Sequence, residues 1–255
     1  MNEFEGRFSP EVELQFRQWK EKRGVEGVLF DLDDTLISTT ELFRQQFELF
    51  FEFCKNSEPH LEINVFRKKF KELDDNSYAT HGVSLEKFDM IVDALCKEYG
   101  TESFWDGLYI IHDIYNISPN IFEGARETLD VCKEAGLRIG LITHATDRWT
   151  DIKLDTLNLR SYFDHVKVVN IQQHKHKTDI HWKEAIDSLG IDPKELFAVG
   201  DSLTGDVEAA YKAGVKTLAW ISPLWHIYGR GNLSEDVYIK VPNIGSLIPT
   251  LIANG

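Results

Sequence analysis

Residues 27–36 read Gly27-Val28-Leu29-Phe30-Asp31-Leu32-Asp33-Asp34-Thr35-Leu36. Val28, Leu29 and Phe30 follow one another without a polar residue, the pattern of a strand buried on both faces rather than one alternating between core and solvent. Such a strand belongs in a parallel sheet covered by helices, and this one ends on a carboxylate. Asp and Thr also favour turns and caps, so a strand that merely runs into an Asp-rich turn is the plainer alternative for Asp31–Thr35.

The rest of the chain separates the two. After Pro119, helical and strand patterns alternate, the signature of a parallel sheet with right-handed crossovers. A helix is expected from Gly124 to Ala135, closed by Gly136. The strand Leu137–Ile142 follows and ends in Thr143 and His144. Next come a helix over 148–157, a strand over 165–169, and a helix carrying Trp182, Ala185, Ile186 and Leu189 that stops at Gly190. Asp192, Pro193 and Glu195 have the spacing of a helix start. The strand Leu196–Gly200 then delivers Asp201, a short helix holds Ala209, Ala210 and Ala213, and strands are expected over 216–221 and 237–241.

Between the first strand and Pro119 the pattern is helical. Phe43, Phe47, Phe50, Phe51 and Cys54 make one stripe, and Ile63, Phe66, Phe70 and Leu73 a second. Ser84 suits the N-cap of a helix with Phe88, Ile91, Leu95 and Tyr99, and Phe104, Leu108, Ile111 and Tyr115 recur at helical spacing. The aromatic stripes read as the core of a small bundle. Residues 9–22 form a further helix with Val12, Phe16 and Trp19 on one side. The expected fold is therefore α/β: a Rossmann-like parallel sheet with helices on both faces, from 25–38 and 117–255, an all-α domain inserted at 39–116, and an N-terminal helical extension over 1–24.

In an open parallel sheet the ligand crevice lies beyond the carboxyl ends of the strands. Asp31, Thr143 and Asp201 each stand just beyond an apolar run, so their side chains can converge, and Asp33 and Asp206 are close enough in sequence to join them. Clustered carboxylates repel unless a cation intervenes, and hard oxygen ligands of this kind suit Mg²⁺.

These residues resemble the haloacid dehalogenase-like hydrolase superfamily, in the branch with a helical cap inserted after the first strand. Val28–Leu36 resembles its nucleophile motif, Leu141-Ile142-Thr143 its second, Lys177 its third and Gly200–Asp206 its fourth, in family order. The resemblance covers 25–38 and about 117–255, with the insert where that branch places its cap. It implies a Mg²⁺-dependent phosphohydrolase with Asp31 as nucleophile, passing through an aspartyl-phosphate, and Asp33 as acid/base. It also implies that Thr143 and Lys177 hold the transferring phosphoryl oxygens, and that Asp31, Asp33, Asp201 and Asp206 make the metal site, Asp206 directly or through an orienting contact. Family dehalogenases lack an aspartate at the place of Asp33, which puts this chain with the phosphatases and phosphomutases.

Departures from the family pattern are local. Asp34 stands where Gly is often found, His144 where Asn is common, and the spacing around Lys177 is shifted by one, with Lys175 as the competing lysine. In the insert, Arg44, His81 and a loop from Asp74 to Val83 are candidates for touching the leaving group. Arg67, Lys68, Lys69 and Lys71 read more simply as a solvated helix face. His174-Lys175-His176 reads as loop decoration rather than a metal site. His144 and Arg44 join Thr143 and Lys177 as the expected substrate contacts.

Composition narrows the partners. At 255 residues the chain can bury a full core, and a net charge of −14 disfavours nucleic acid polymers and anionic membranes. No apolar stretch approaches the roughly 20 residues of a membrane span. Residues 1–20 contain no continuous apolar segment of the secretory type, so a cytoplasmic location is expected. Cys54, Cys96 and Cys132 sit at apolar helical positions and read as buried thiols. The expected substrate is a small phosphorylated metabolite, handled by a monomer or homodimer. A phosphomutase using the same motifs and a non-catalytic phosphate-sensing protein are the alternatives.

Overall fold

The computed structural model describes residues 8–82, 84–224 and 226–255. Residues 1–7, at the start of the expected N-terminal extension, and Val83, at the end of the expected 74–83 loop, lie outside that range. At its centre is β1 (Gly27–Phe30), every residue of which is buried. It pairs in parallel with β2 (Arg138–Ala145) on one side and β4 (Leu196–Gly200) on the other. β3 (His165–Asn170), β5 (Thr217–Ile221) and β6 (Ile239–Val241) complete a six-stranded sheet in the order β3-β2-β1-β4-β5-β6. The strand order reverses direction at β1, which makes its carboxyl end the switch point where ligands bind in such sheets.

Successive strand residues point to opposite faces, and each face has its own core. Val28 and Phe30 join one cluster with Phe16 and Trp19 of α1 (Pro10–Arg23), Leu129 of α6 (Ala125–Glu134) and Leu251 of α10 (Leu247–Ala253). Leu29 joins the other with Trp182 of α8 (Asp179–Leu189) and Ala210 of α9 (Ala209–Lys212). The N-terminal helix is thereby part of the body. Lys22 and Arg23 donate to the carbonyls of Gly255 and Asn254, tying it to the carboxyl terminus.

Between β1 and α6 lie α2 (Thr39–Ser57), α3 (Ile63–His81), α4 (Glu86–Tyr99) and α5 (Leu108–His112). Phe50, Phe66, Phe70, Phe88 and Phe104 are buried among them, and the same cluster takes in Trp149 of the helix after β2 and Ile171 just beyond β3. The chain enters and leaves this insert through paired linkers: Ser38 N–H donates to Asn120 O at 2.8 Å and Phe122 N–H to Leu36 O at 3.0 Å.

Four local expectations are corrected. Residues 74–81 continue α3 instead of forming a loop. Asn76 and Thr80 face solvent, Lys71 and Asp75 pair at i,i+4, Asp74 turns inward to Lys87, and the helix turns off only at Gly82, at φ +59°. α4 starts at Glu86 and Leu85 precedes it in helical conformation, so Ser84 caps nothing and its Oγ has no hydrogen bond. The segment 103–116 is not one helix but α5 flanked by 3₁₀ turns at Ser103–Gly107 and Asp113–Asn116, where Gly107 packs directly on the Phe53 ring. Asp192 caps only the single turn Pro193–Glu195, which leads into β4.

Candidate active site

The backbone of Asp31 still donates to Val199 O at 2.8 Å, one step past the end of β1, so its carboxylate emerges at the sheet rim. The chain then turns sharply. Leu36 and Ile37 N–H groups fold back onto Leu32 O, and Asp34 takes a left-handed conformation, φ +59°. That conformation accounts for a glycine at this position in many relatives of the motif, and Asp tolerates it better than most residues. Here the Asp34 carboxylate accepts from Thr40 N–H at 2.8 Å and from the Thr40 hydroxyl, tying the turn to the start of α2. Burial pushes its pKa up to about 6.

Asp31, Asp201 and Asp206 form one buried group, with oxygens all within 4.8 Å of one another. Asp201 follows β4 directly, its carbonyl fixed by Trp220 Nε1 at 2.7 Å. Asp206 lies in the wide helical turn Leu203–Glu208, and its Oδ2 accepts from Ser202 N–H at 3.0 Å. Trp182 Nε1 donates to Gly205 O at 2.9 Å and braces the same turn. Lys177 is the buried lysine of its segment, with Lys175 exposed. Its ammonium bonds Asp31 Oδ1 and lies 2.5 Å from Asp206 Oδ1, a close ion pair that lacks hydrogen-bond alignment. Asp31 Oδ2 and Asp201 Oδ2 are buried with no hydrogen-bond partner.

The electrostatics follow from this crowding. Burial, opposed by Lys177 and reinforced by the charges of Asp206 and Asp33, pushes Asp31 up to about 7. Burial and then the Asp31 and Asp206 charges hold Asp201 well above the ordinary carboxyl range. Two orphaned, inward-facing carboxylate oxygens and a rigid all-oxygen donor set are what a hard divalent cation requires, so the residues fit Mg²⁺.

The Asp33 carboxylate is not brought into that group. Its Oδ2 accepts from Thr143 at 3.1 Å, and its Oδ1 accepts from Thr39 and from Lys153 at 2.5 Å. Burial would raise its pKa, but Lys153, Thr39 and Thr143 outweigh burial and hold it below the usual carboxyl value. Thr143 is fully buried and lies inside β2 rather than beyond it, because β2 and β3 stay paired as far as Ala145 and Asn170.

His144 hydrogen-bonds through Nε2 to His174 O at 2.7 Å, and burial lowers its pKa to about 4. Arg44 is exposed, 3.6 Å from Glu41 and 3.4 Å from Leu224 O at the mouth of a cavity that also reaches Asp33. His81 hydrogen-bonds Thr80, its neighbour. Among residues the sequence reading passed over, Lys153 is the one nearest the chemistry. It sits on α7 (Asp147–Thr156) with Trp149, Thr150 and Leu154 as the buried residues of that helix, so a lysine in the apolar helical phase was its signal. Tyr78 of α3 stands 6.2 Å, ring to ring, from Tyr228 of the core, and no spacing in the sequence joins them.

Known proteins resemble this chain in sequence and fold. The family model described as haloacid dehalogenase-like hydrolase matches residues 28–220. Glyceraldehyde 3-phosphate phosphatase of Pyrococcus furiosus is 26% identical over 82% of this chain and 83% of its own length. Pyrophosphatase PpaX of Bacillus velezensis is 27% identical over 82% and 88%. Among solved structures, a haloacid dehalogenase-like family hydrolase from Xanthomonas campestris superposes with a TM-score of 0.67 at 16% identity, over 91% of this chain and 93% of that one. A putative hydrolase from Bacillus subtilis, described as bound to magnesium, gives 0.62 at 17% over 89% and 98%. Likeness at that identity carries the fold alone, but the family match spans both carboxylate-bearing strand ends, and the chain belongs to the haloacid dehalogenase-like hydrolases.

Proposed function

We propose that the chain is a Mg²⁺-dependent phosphatase that cleaves a small phosphomonoester through an aspartyl-phosphate on Asp31. The observation that carries this reading is the separation of two carboxylates two residues apart. Asp31 has a free buried oxygen within the Asp31–Asp201–Asp206 group, whereas Asp33 is held apart from it by Thr39, Thr143 and Lys153. On this reading Asp31 attacks and Asp33 moves a proton.

Asp31, Asp201 and Asp206 would hold the cation, which when bound masks phosphoryl charge that would otherwise repel the attacking carboxylate. Asp31 Oδ2 forms the new bond to phosphorus as the ester P–O bond breaks. Asp33 gives its proton to the departing alkoxide, then as a carboxylate takes one from the water that hydrolyses the acyl phosphate, returning Asp31 and inorganic phosphate. Resting Asp33 is held ionised, so the proton it donates is taken up from solvent as the anionic phosphoryl group arrives and raises its proton affinity. Lys177 and Thr143 stand beside the two carboxylates, where they stabilise transferring oxygens by charge and hydrogen bond. Helices α2–α5 act as the cap that covers the leaving group. The relatives named as phosphatase and pyrophosphatase support phosphoryl transfer to water.

The test is phosphate release from a panel of phosphorylated metabolites with and without Mg²⁺, run beside Asp31→Asn. Metal-dependent release abolished by the substitution is expected. Full activity in Asp31→Asn removes the nucleophile assignment, and transfer of the group to another alcohol instead of water makes the enzyme a mutase.

A further inference from the structure

Asp33 stands at one end of a larger space. A cavity of about 520 Å³ lies between α2, α3 and the sheet rim, running from Asp33 and Thr39 to Lys71 and Asp74 inside the insert. Aromatic rings pave it in an unbroken row. Trp149 meets Phe43 at 6.3 Å, Phe43 meets Phe47 at 5.8 Å, Phe47 meets Phe70 at 4.9 Å and Phe70 meets Phe51 at 5.1 Å, all edge to face. Trp149, Phe51 and Phe70 are buried, whereas Phe43 and Phe47, in the same stripe of α2, are only partly so, and both line the cavity. The row begins beside the acid/base residue, since the Trp149 ring lies under the ammonium of Lys153 that bonds Asp33.

Charge narrows the occupant further. The basic residues along the cavity are matched by acids. Arg44 pairs with Glu41, Arg67 with Glu48, Lys71 with Asp75, and buried Lys87 with Asp74 at 2.6 Å. A second phosphate or a carboxylate on the leaving group would find each of these cations already partly neutralised. A triose-sized leaving group would leave most of the aromatic wall facing water, forfeiting the apolar burial that the pocket offers.

We infer that this cavity seats the leaving group, and that the substrate is a phosphomonoester of an uncharged alcohol bearing a flat aromatic ring. The inference rests on the reading of Asp31 and Asp33 given above. The ring lies edge-to-face against Phe43 and Phe47 with the ester oxygen directed at Asp33, and the alcohol departs carrying Asp33's proton.

The test uses the full chain with Mg²⁺ and compares kcat/KM for 2-phenylethyl phosphate and ethyl phosphate, whose leaving groups have similar basicity. Acetyl phosphate reports on the core chemistry alone. The expected preference for the ring is tenfold or more, about 1.4 kcal/mol of apolar burial. Phe47→Leu should reduce that ratio several-fold. A ratio near one with rapid acetyl phosphate hydrolysis overturns the inference and leaves the phosphatase reading intact, and so does an unchanged ratio in Phe47→Leu. A bisphosphate preferred over 2-phenylethyl phosphate overturns the uncharged class. No release from acetyl phosphate or any ester removes the phosphatase reading, and the inference with it.

Discussion

Lys153, which has no solvent exposure, places its ammonium 2.5 Å from Oδ1 of Asp33 and 3.3 Å from the centre of the Trp149 ring. Burying a lysine is expensive, and burial pulls its ammonium below the ordinary value even with Asp33 opposing. A hydrophobic residue would satisfy this helix face more cheaply. The lysine's return is orientation: with Thr39 and Thr143 it fixes the Asp33 carboxylate away from the Asp31–Asp201–Asp206 group.

Lys153→Met should therefore lower kcat by about 10²-fold, the scale on which small misplacements of a catalytic group act. Lys153→Arg should not restore it, because a planar fork does not replace a compact ammonium between a ring and a carboxylate. Steady-state kinetics decide this, and a Met variant with wild-type kcat would show the lysine to be mere packing.

The carboxylate group gives the metal-free protein a stability that depends on pH with a defined sign. Asp31 is raised from 3.8 to about 7, so the folded state binds its proton more tightly than the unfolded chain does. Its contribution is fully present below about pH 4 and is lost as pH rises through about 7, and Asp201, raised by burial, acts in the same direction. Asp33, depressed, acts oppositely, but only below the ordinary carboxyl range. The melting temperature without metal should thus climb as pH is lowered from 7 toward 5, each pKa unit being worth about 1.4 kcal/mol at most. Mg²⁺ should raise it most at pH 7 to 8 and least near 5, since the ion competes with those protons. Melting curves with and without Mg²⁺ that run parallel across this range would contradict the shared site.

Asp34 separates backbone geometry from side-chain bonding. At φ +59° an alanine suffers the left-handed penalty and loses both contacts to Thr40, whereas a glycine loses the contacts only. Asp34→Gly should be more stable than Asp34→Ala by about 1 kcal/mol in denaturant melts. Equal stabilities would mean that the turn relaxes.

Much of this was legible in the chain because it depends on short-range pattern. The unbroken apolar runs ending at Asp31 and Asp201 fit strands covered on both faces, the helix–strand alternation after Pro119 makes that sheet parallel, and Gly136 and Gly190 mark helix ends. Asp31 and Asp201 meet because their strand ends share a rim, and Asp206 joins them from the turn that follows. Lys177 was preferred to Lys175 by resemblance alone, because pattern does not report which of two nearby loop side chains reaches the interior. Asp33 shows the limit most clearly. Its two-residue distance from Asp31 suggested a common metal site, but its partners Thr39, Thr143 and Lys153 come from three elements, and only packing brings them together. The Phe43 and Phe47 stripe reads as core by periodicity, and periodicity cannot report that a cavity interrupts that core.

Gly200 tests whether the position of Asp206 matters to the site. It is the last residue of β4, and a β-carbon there would collide with the Cβ, Cγ and Oδ2 of Asp206. Neither side can yield easily, since Gly200 is held by pairing to β5 and Asp206 by Ser202 N–H and Lys177. Rotating the side chain cannot relieve the contact at Cβ, so the Leu203–Glu208 turn has to shift and carry the Asp206 carboxylate from the group, which would cost a bound cation one donor and Lys177 one counter-charge. Gly200→Ala should accordingly weaken Mg²⁺ binding at least tenfold, read by calorimetry or by the Mg²⁺ dependence of the melting temperature, and lower kcat/KM by a similar factor or more. Asp206→Asn, which keeps the shape but removes the charge, should weaken binding without the packing penalty, so in metal-free melts the alanine variant should be the less stable of the two. If Gly200→Ala binds Mg²⁺ as the parent does, the Asp206 carboxylate contributes neither a ligand nor an orienting contact, and the metal site reduces to Asp31 and Asp201.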